Sequence, residues 1–452
     1  MKAAQTSARQ HAIVMGGSMA GLLAARVLSH NFERVSLIER DSLPSDAQQR
    51  RGVPQGRHTH GLLASGRTVL EKLFPGMSQL LIDKGALSGD IAKDSQWFFQ
   101  GACLSRPSSS LHGLLMTRPL LEAAVRERVL ALPNLELRQN AAVEGLELNN
   151  GMVTGVRAGG ETIPADLVVD AMGRGSRTPQ WLESFGYERA PEIDVQVALG
   201  YTTRFFRRSH ADLGGDTAVI IPPTPEGKRG GVMLAQEADR WVVTLIAHFG
   251  NYAPEDLGGF REFARTLPAP YIFEVINRAE PLGEPASARF PASIRRRYEA
   301  LERFPSGYLV IGDAICSFNP IYGQGMSVAA LEAEELDKTL REPGADIAKR
   351  FFPRAARVVD IPWSIAVGND LRLKETVGPR TAGVRFVNWY ISKLHKAAHY
   401  DAEAALAFLK VSNLVAPPPS LMTPRIALRV LWGNLRGAPG SSSGQVRAAA
   451  AN

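Results

Sequence analysis

The segment His11–Leu28, HAIVMGGSMAGLLAARVL, constrains the fold more than any other stretch of the chain. His11–Met15 is short, apolar and β-leaning, as a strand buried on both faces must be. Gly16 and Gly17 break it, and Ala20, Leu23, Ala24, Val27 and Leu28 then recur on one helical face. A second apolar run, Arg34–Ile38, ends in Glu39, 18 residues after Gly21. Strand, glycine turn, helix and strand form a parallel unit whose helix N-terminus can receive a pyrophosphate. A carboxylate ending the second strand can accept ribose hydroxyls. Against G-x-G-x-x-G the matches are Gly16, Ser18 and Gly21. Ser18 stands where a glycine usually lets backbone approach the phosphate, and its hydroxyl can donate to a phosphate oxygen. Gly17, Ala20 and Arg40 complete the nucleotide turn, and the placing of Glu39 separates it from an ordinary glycine-rich bend.

The C-terminal half narrows the ligand. Tyr308–Ile311 reads as a strand ended by Gly312-Asp313-Ala314; Asn319-Pro320 and Gly323-Gln324-Gly325-Met326 then open a helix through Leu340. An acid at a strand end, followed by a glycine turn, suits a second contact with a long cofactor. Asp313 would accept ribityl hydroxyls, and the amides of Gly325 and Met326 would face a flavin's carbonyl edge.

Four segments taken together, GGSMAG with Glu39-Arg40, TRPLLEAAVRERV, VVDAMGRGSR and GDAICSFNPIYGQGM, resemble the FAD-binding flavoprotein monooxygenases of the aromatic hydroxylase and epoxidase type. The resemblance spans roughly residues 11–340. It implies that Arg118 contacts the phosphate or ribityl part of FAD, that Gly173 belongs to the third cofactor segment, and that Pro320 lines the oxygen-reacting face. Arg51-Gly-Val-Pro-Gln-Gly-Arg-His-Thr-His-Gly61 and Ile361-Pro-Trp-Ser-Ile-Ala-Val-Gly368 are similar, more narrowly, to the polyether-type flavin epoxidases, which epoxidise alkenes on polyketides. That similarity places Arg51, Gln55, His58 and His60 beside the flavin or at the site entrance, the bland alternative being that the histidines order a polar loop.

One departure bears on the electron source. The third segment of single-component hydroxylases has an Asp-Gly pair serving FAD and the nicotinamide cofactor; here Met172 precedes Gly173, and Asp170 stands two positions earlier. A thioether cannot replace a carboxylate as an acceptor. The expectation is weak NAD(P)H binding and supply of electrons by a partner flavin reductase, with direct use of NAD(P)H the alternative. Flavin reductases of the geranylgeranyl-reductase type share the Asp-x-x-Gly segment and are the runner-up class; a flavin-binding protein without turnover is the third. A halogenase would carry Trp-x-Trp, which none of the six tryptophans forms.

The expected fold is α/β. A Rossmann-like FAD domain comprises residues 1–95, 110–190 and 300–342, and an antiparallel-sheet substrate domain comprises 96–109 and 191–299. A helical region, 343–436, and a disordered tail, 437–452, follow. Trp97-Phe98-Phe99 is expected to add a strand to the substrate sheet, Asn149-Asn150-Gly151 to turn a hairpin, and Arg295-Arg296-Arg297-Tyr298 to form a solvated helix face.

The FAD would do the oxidation through a flavin hydroperoxide; the protein, with the backbone around Pro320 and Gly323, would exclude water and orient an apolar substrate. Epoxidation of an alkene needs no general base. A phenol hydroxylase would be helped by one, and His58, His60 and Tyr201 are the candidates, with His60 the expected catalytic residue.

Two distant cysteines, Cys103 and Cys316, exclude a disulfide scaffold or a zinc site and suit a reducing cytoplasm. The net charge of +7 is concentrated: ten Lys/Arg against three Asp/Glu fall between Leu371 and Arg436. The body is balanced, which argues against nucleic-acid binding. In that basic region Phe386, Trp389, Tyr390 and Leu394 share one face, and Leu428, Leu431, Trp432 and Leu435 another, flanked by Arg425, Arg429 and Arg436. Packing on the cofactor domain is the ordinary explanation, and peripheral membrane contact the sharper one.

Overall fold

The computed structural model describes residues 9–50, 52–344 and 346–436; Arg51 and the 437–452 tail expected to be disordered lie outside the described residues. A five-stranded parallel sheet forms the centre, in the order Tyr308–Val310, Leu167–Asp170, His11–Met15, Arg34–Ile38, Leu135–Arg138. Its strands are apolar runs because they are buried; Met19–Leu28 and Gly325–Arg341 pack on each other beside the sheet, and Met152–Ala158 packs against Leu167–Asp170. Glycine fixes the close approaches. A Cβ on Gly21 would lie 1.7 Å from the Gly16 carbonyl oxygen, and one on Gly16 would meet the Ala171 oxygen at 2.6 Å.

A three-stranded meander, Val143–Asn149, Met152–Ala158 and Glu161–Pro164, extends this domain. Its hairpin turns at Asn150 and Gly151, both left-handed (φ 48° and 78°), as the tight turn requires.

The second layer is an eight-stranded sheet built on Glu192–Arg207, Pro281–Arg296, Arg240–His248 and Arg229–Gln236, all antiparallel to their neighbours. Ser95–Phe99, carrying Trp97-Phe98-Phe99, lies one strand in from the far edge, which Ala102–Cys103 forms, and runs parallel to Ala218–Ile221, the one departure from an antiparallel sheet. At the other edge Cys316–Ser317 pairs with Ile294 and Arg295, so the loop that begins at Asp313 runs straight into the substrate sheet.

The Arg295–Tyr298 expectation fails. Arg295 and Arg296 end a strand and are 6% and 9% exposed; Arg295 bridges Glu299 and Asp360, and Arg296 bridges Glu192 and caps the Ala314 carbonyl. A run of arginines reads as solvated in sequence because its buried partners are remote in the chain.

Beyond Glu342 the chain is helical: Ile347–Asp370, Ala382–Ala398, Ala402–Ser412 and Pro424–Arg436. The Ile361–Gly368 stretch lies inside the first of these helices. Tyr390 and Leu394 are buried against Ile426 and Val430, whereas Phe386 and Trp389 are exposed, so the single face read from the sequence is split. No helix among the described residues is long and apolar enough to cross a membrane.

Candidate flavin site and substrate chamber

Four of the five parallel strands end at one cavity of about 900 Å³: Gly16 follows the first, Glu39 the second, Ala171 and Met172 the third, and Asp313 the last. Ligands of doubly wound sheets bind outside such carboxyl ends. Every cofactor or catalytic residue named from the sequence lines this cavity, with two exceptions. Gly21 lies beneath the turn, and Arg51 is not described.

At the nucleotide end the Glu39 carboxylate is fixed by three donors. Gly17 N–H (2.8 Å) and Arg50 Nη1 (3.3 Å) donate to Oε2, and Asp41 N–H donates to Oε1 at 3.0 Å. Oε1 keeps a lone pair for a ribose hydroxyl. Arg50 also binds Glu122 through Nε at 2.9 Å, and Arg118 Nη2 donates to Glu122 (3.2 Å) and to Ser18 Oγ (2.9 Å). These side chains are nearly buried. The substituted serine of the phosphate turn is thereby held by the arginine of the second segment. The sequence does not mark Arg50 or Glu122 as site residues; its one signal is the Arg50-Arg51 pair, of which the motif reading selects Arg51. Arg40 and Gln55 are exposed at the rim.

Asp313 feels the charge of two guanidiniums, those of Arg118 and Arg174. Burial pushes its carboxyl up and both arginines pull it back. Gly173 and Gly325 flank it without side chains, their hypothetical Cβ atoms 3.9 and 3.7 Å from the Asp313 side chain. Gly312, at φ 71°, presses on Ala20, where a Cβ would meet the alanine methyl at 2.7 Å. The first and last segments therefore touch. Behind them Glu332 accepts from Gly312 N–H at 2.6 Å, and burial, with Asp313 adding, pushes its carboxyl up to about 8.

Asp170 is not available to a nicotinamide ribose. It accepts from Met172 N–H (2.8 Å), Thr178 Oγ1 (2.6 Å), Ser176 Oγ and Tyr308 OH, is fully buried, and is pushed up by that burial. Its role is to hold the Met172–Thr178 turn.

At the ring end, Asn319 Nδ2 and Tyr322 OH both donate to Asp370 Oδ1, at 2.9 and 2.8 Å, clamping Pro320–Gly323 from behind. Asp370 is 1% exposed, its Oδ2 has no partner, and burial pushes its carboxyl up to about 7. Pro320 is exposed on the cavity surface, Gly323 (φ 64°) turns against Gly61, and Met326 is buried at the helix start. His60 is tied to the His58 carbonyl at 2.9 Å; burial, then Arg118, lowers its pKa to about 3. His58 hydrogen-bonds Thr203 at 2.9 Å, its ring edge-on to Tyr201 at 4.6 Å, and burial lowers it to about 4. Both imidazoles are neutral at physiological pH. Tyr201 is pushed up by burial and stays a phenol.

The cavity continues past Pro320 into a chamber walled by the eight-stranded sheet and the C-terminal helices, with Trp97, Ile246, Phe290, Phe318, Ile365 and Phe408 among its lining residues. The acidic residues lining the whole cavity are Glu39, Asp313 and Asp370. No metal-type cluster occurs among the described residues.

This donor set fits FAD. A fixed carboxylate stands at the ribose end, a side-chain-free turn and Arg118 at the phosphates, Asp313 at the ribityl chain, and amides after Gly323 at the ring. The fold and site define a FAD-dependent flavoprotein of the aromatic-hydroxylase type.

Comparison with known proteins agrees. Protein Rv3254 of Mycobacterium tuberculosis is 32% identical over 449 residues, covering 95% of this chain and 94% of that one. Kynurenine 3-monooxygenase of Salinispora tropica is 25% identical over 364 residues, or 74% and 73% of the two chains. The chain belongs to the family of protein Rv3254, within the aromatic-hydroxylase-like flavoprotein monooxygenases, and is a FAD-dependent monooxygenase. Among solved structures, flavin-dependent brominase Bmp2 (TM-score 0.64, 14% identity, 94% of this chain and 100% of that) shares the fold. So does p-nitrophenol 4-monooxygenase PnpA of Pseudomonas putida (0.63, 16%, 90% and 98%). No family model matches.

Proposed function

We propose that the enzyme transfers one oxygen atom of dioxygen to an apolar secondary metabolite, by epoxidation of an alkene or hydroxylation. The observation that carries this reading is the chamber beyond Pro320: apolar walls, two neutral histidines, and no carboxylate apart from the buried, clamped Asp370. Bound FAD supplies the oxygen-activating chemistry. The chain's own contribution is to hold the substrate and exclude water. Asn319, Tyr322 and Asp370 keep the Pro320–Gly323 backbone in place. Tyr201 OH is a hydrogen-bond donor available to a polar substituent of the substrate.

Electrons come from a separate flavin reductase in this reading, since Asp170 is spent on its own turn and Met172 occupies the acceptor position. Incubation with a flavin reductase, NADH, ¹⁸O₂ and a panel of apolar alkenes and arenes tests the assignment. One labelled oxygen atom in the product supports it; reduced product without label sinks it.

A further inference from the structure

The helices Ala382–Ala398 and Pro424–Arg436 bury one face between them and leave a second one open. Inside, Tyr390 and Leu394 meet Ile426 and Val430. The helices approach closely at Gly433, where a Cβ would lie 2.8 Å from that of Ala397. Outside, Phe386 and Trp389 are 52% and 56% exposed, and Leu428, Leu431 and Leu435 are 65%, 57% and 71% exposed. The three leucines fall at i, i+3 and i+7, one stripe of a helix. An apolar face of this extent on a protein surface marks an interaction site.

Its charge selects the partner. Neither helix contains an Asp or Glu. Arg385, Lys393 and Lys396 continue the first helix, and among the described residues none of them is in an ion pair. The nearby carboxylates Asp401 and Glu403 are already committed to Arg425 and Arg429, at 2.6–2.8 Å. A second copy seated on this face by a two-fold axis would set like cations against each other.

We propose that this face lies on an anionic lipid surface. The aromatic and leucine side chains reach the acyl boundary, and Arg385, Lys393 and Lys396 reach headgroup phosphates. The first of these helices backs the substrate chamber. His395, on its inner side, packs against Phe99 at 4.3 Å and edge-on against Phe408 at 4.5 Å, and both of those rings line the cavity. A docked enzyme would thus hold its chamber next to the lipid, as a lipophilic substrate requires. The docking itself does not rest on which carbon is oxidised.

The test uses the full-length flavoprotein and sedimentation with phosphatidylcholine vesicles, with or without about 30 mol% phosphatidylglycerol. Binding is expected to the anionic vesicles only, falling roughly tenfold at about 0.5 M NaCl. The pair Leu428→Ser/Leu431→Ser should abolish it with FAD content and melting temperature unchanged. Arg385→Gln/Lys396→Gln, on exposed side chains, should weaken it even if the serine pair fails to fold. Absence of binding, equal binding to neutral vesicles, or a solution dimer that the serine pair dissolves would overturn the proposal.

Discussion

Asp370 offers a stability measurement whose sign is fixed by the structure. Its carboxyl is pushed up to about 7 in the folded protein, by burial first, against two hydrogen bonds that favour the anion. In the unfolded chain it titrates near 4. A raised folded value means that its contribution to stability is fully present below about pH 4 and is lost as pH rises through about 7. A shift of roughly three pH units corresponds to about 4 kcal/mol by linkage.

Asp370→Asn keeps the Oδ1 acceptor for Asn319 and Tyr322. It places an NH₂ where the protonated acid places its O–H, so the missing partner at that position costs both forms alike. Variant and wild type should therefore match near pH 4. The variant should pull ahead as pH rises, by up to about 4 kcal/mol near pH 8. Urea unfolding followed by flavin and tryptophan fluorescence at a series of pH values reads the difference. A gap independent of pH would refute the reasoning, since it would place the titration elsewhere.

Other outcomes follow from the same geometry. Gly312→Ala forces a methyl onto Ala20 at a φ that disfavours Cβ by about 1–2 kcal/mol, and should yield largely colourless protein, checked by the bound flavin per chain. Arg118→Met removes the donor to Ser18 and one partner of Glu122, and should weaken FAD at least about tenfold, or 1.4 kcal/mol, by fluorescence titration. Arg50→Met strips the buried carboxylates Glu39 and Glu122 of a shared cation and should cost about 3–5 kcal/mol in chemical denaturation. Anaerobic mixing with NADPH should leave the flavin oxidised until a reductase is added; rapid bleaching without one would show that Met172 is no obstacle.

The parts of the site legible in the sequence were those written locally. Gly16, Ser18, Gly21 and Glu39 form one strand–turn–helix–strand unit, so spacing sufficed, and Asp313 with Gly325 repeats that logic at a second strand end. Arg50 and Glu122 were hidden because their partners lie 72 residues apart, and nothing in Arg50-Arg51 says which guanidinium turns inward. Asp370 was invisible for the same reason: its donors come from a loop 48 and 51 residues earlier. The arginine run at 295–297 and the aromatic stripe at 386–394 misled in opposite senses, since burial of a periodic pattern depends on what arrives from elsewhere. The strand at Trp97–Phe99 could be guessed from its composition, but its parallel pairing with Ala218–Ile221 is a product of topology.

The contact between Gly312 and Ala20 couples two motifs that chain position keeps almost three hundred residues apart. Neither can drift alone: a bulkier residue on one side closes the flavin's path unless the other gives way. Ala20→Gly should accordingly recover part of the flavin lost in Gly312→Ala, a suppressor relation that ties the inheritance of the nucleotide turn to that of the ribityl turn.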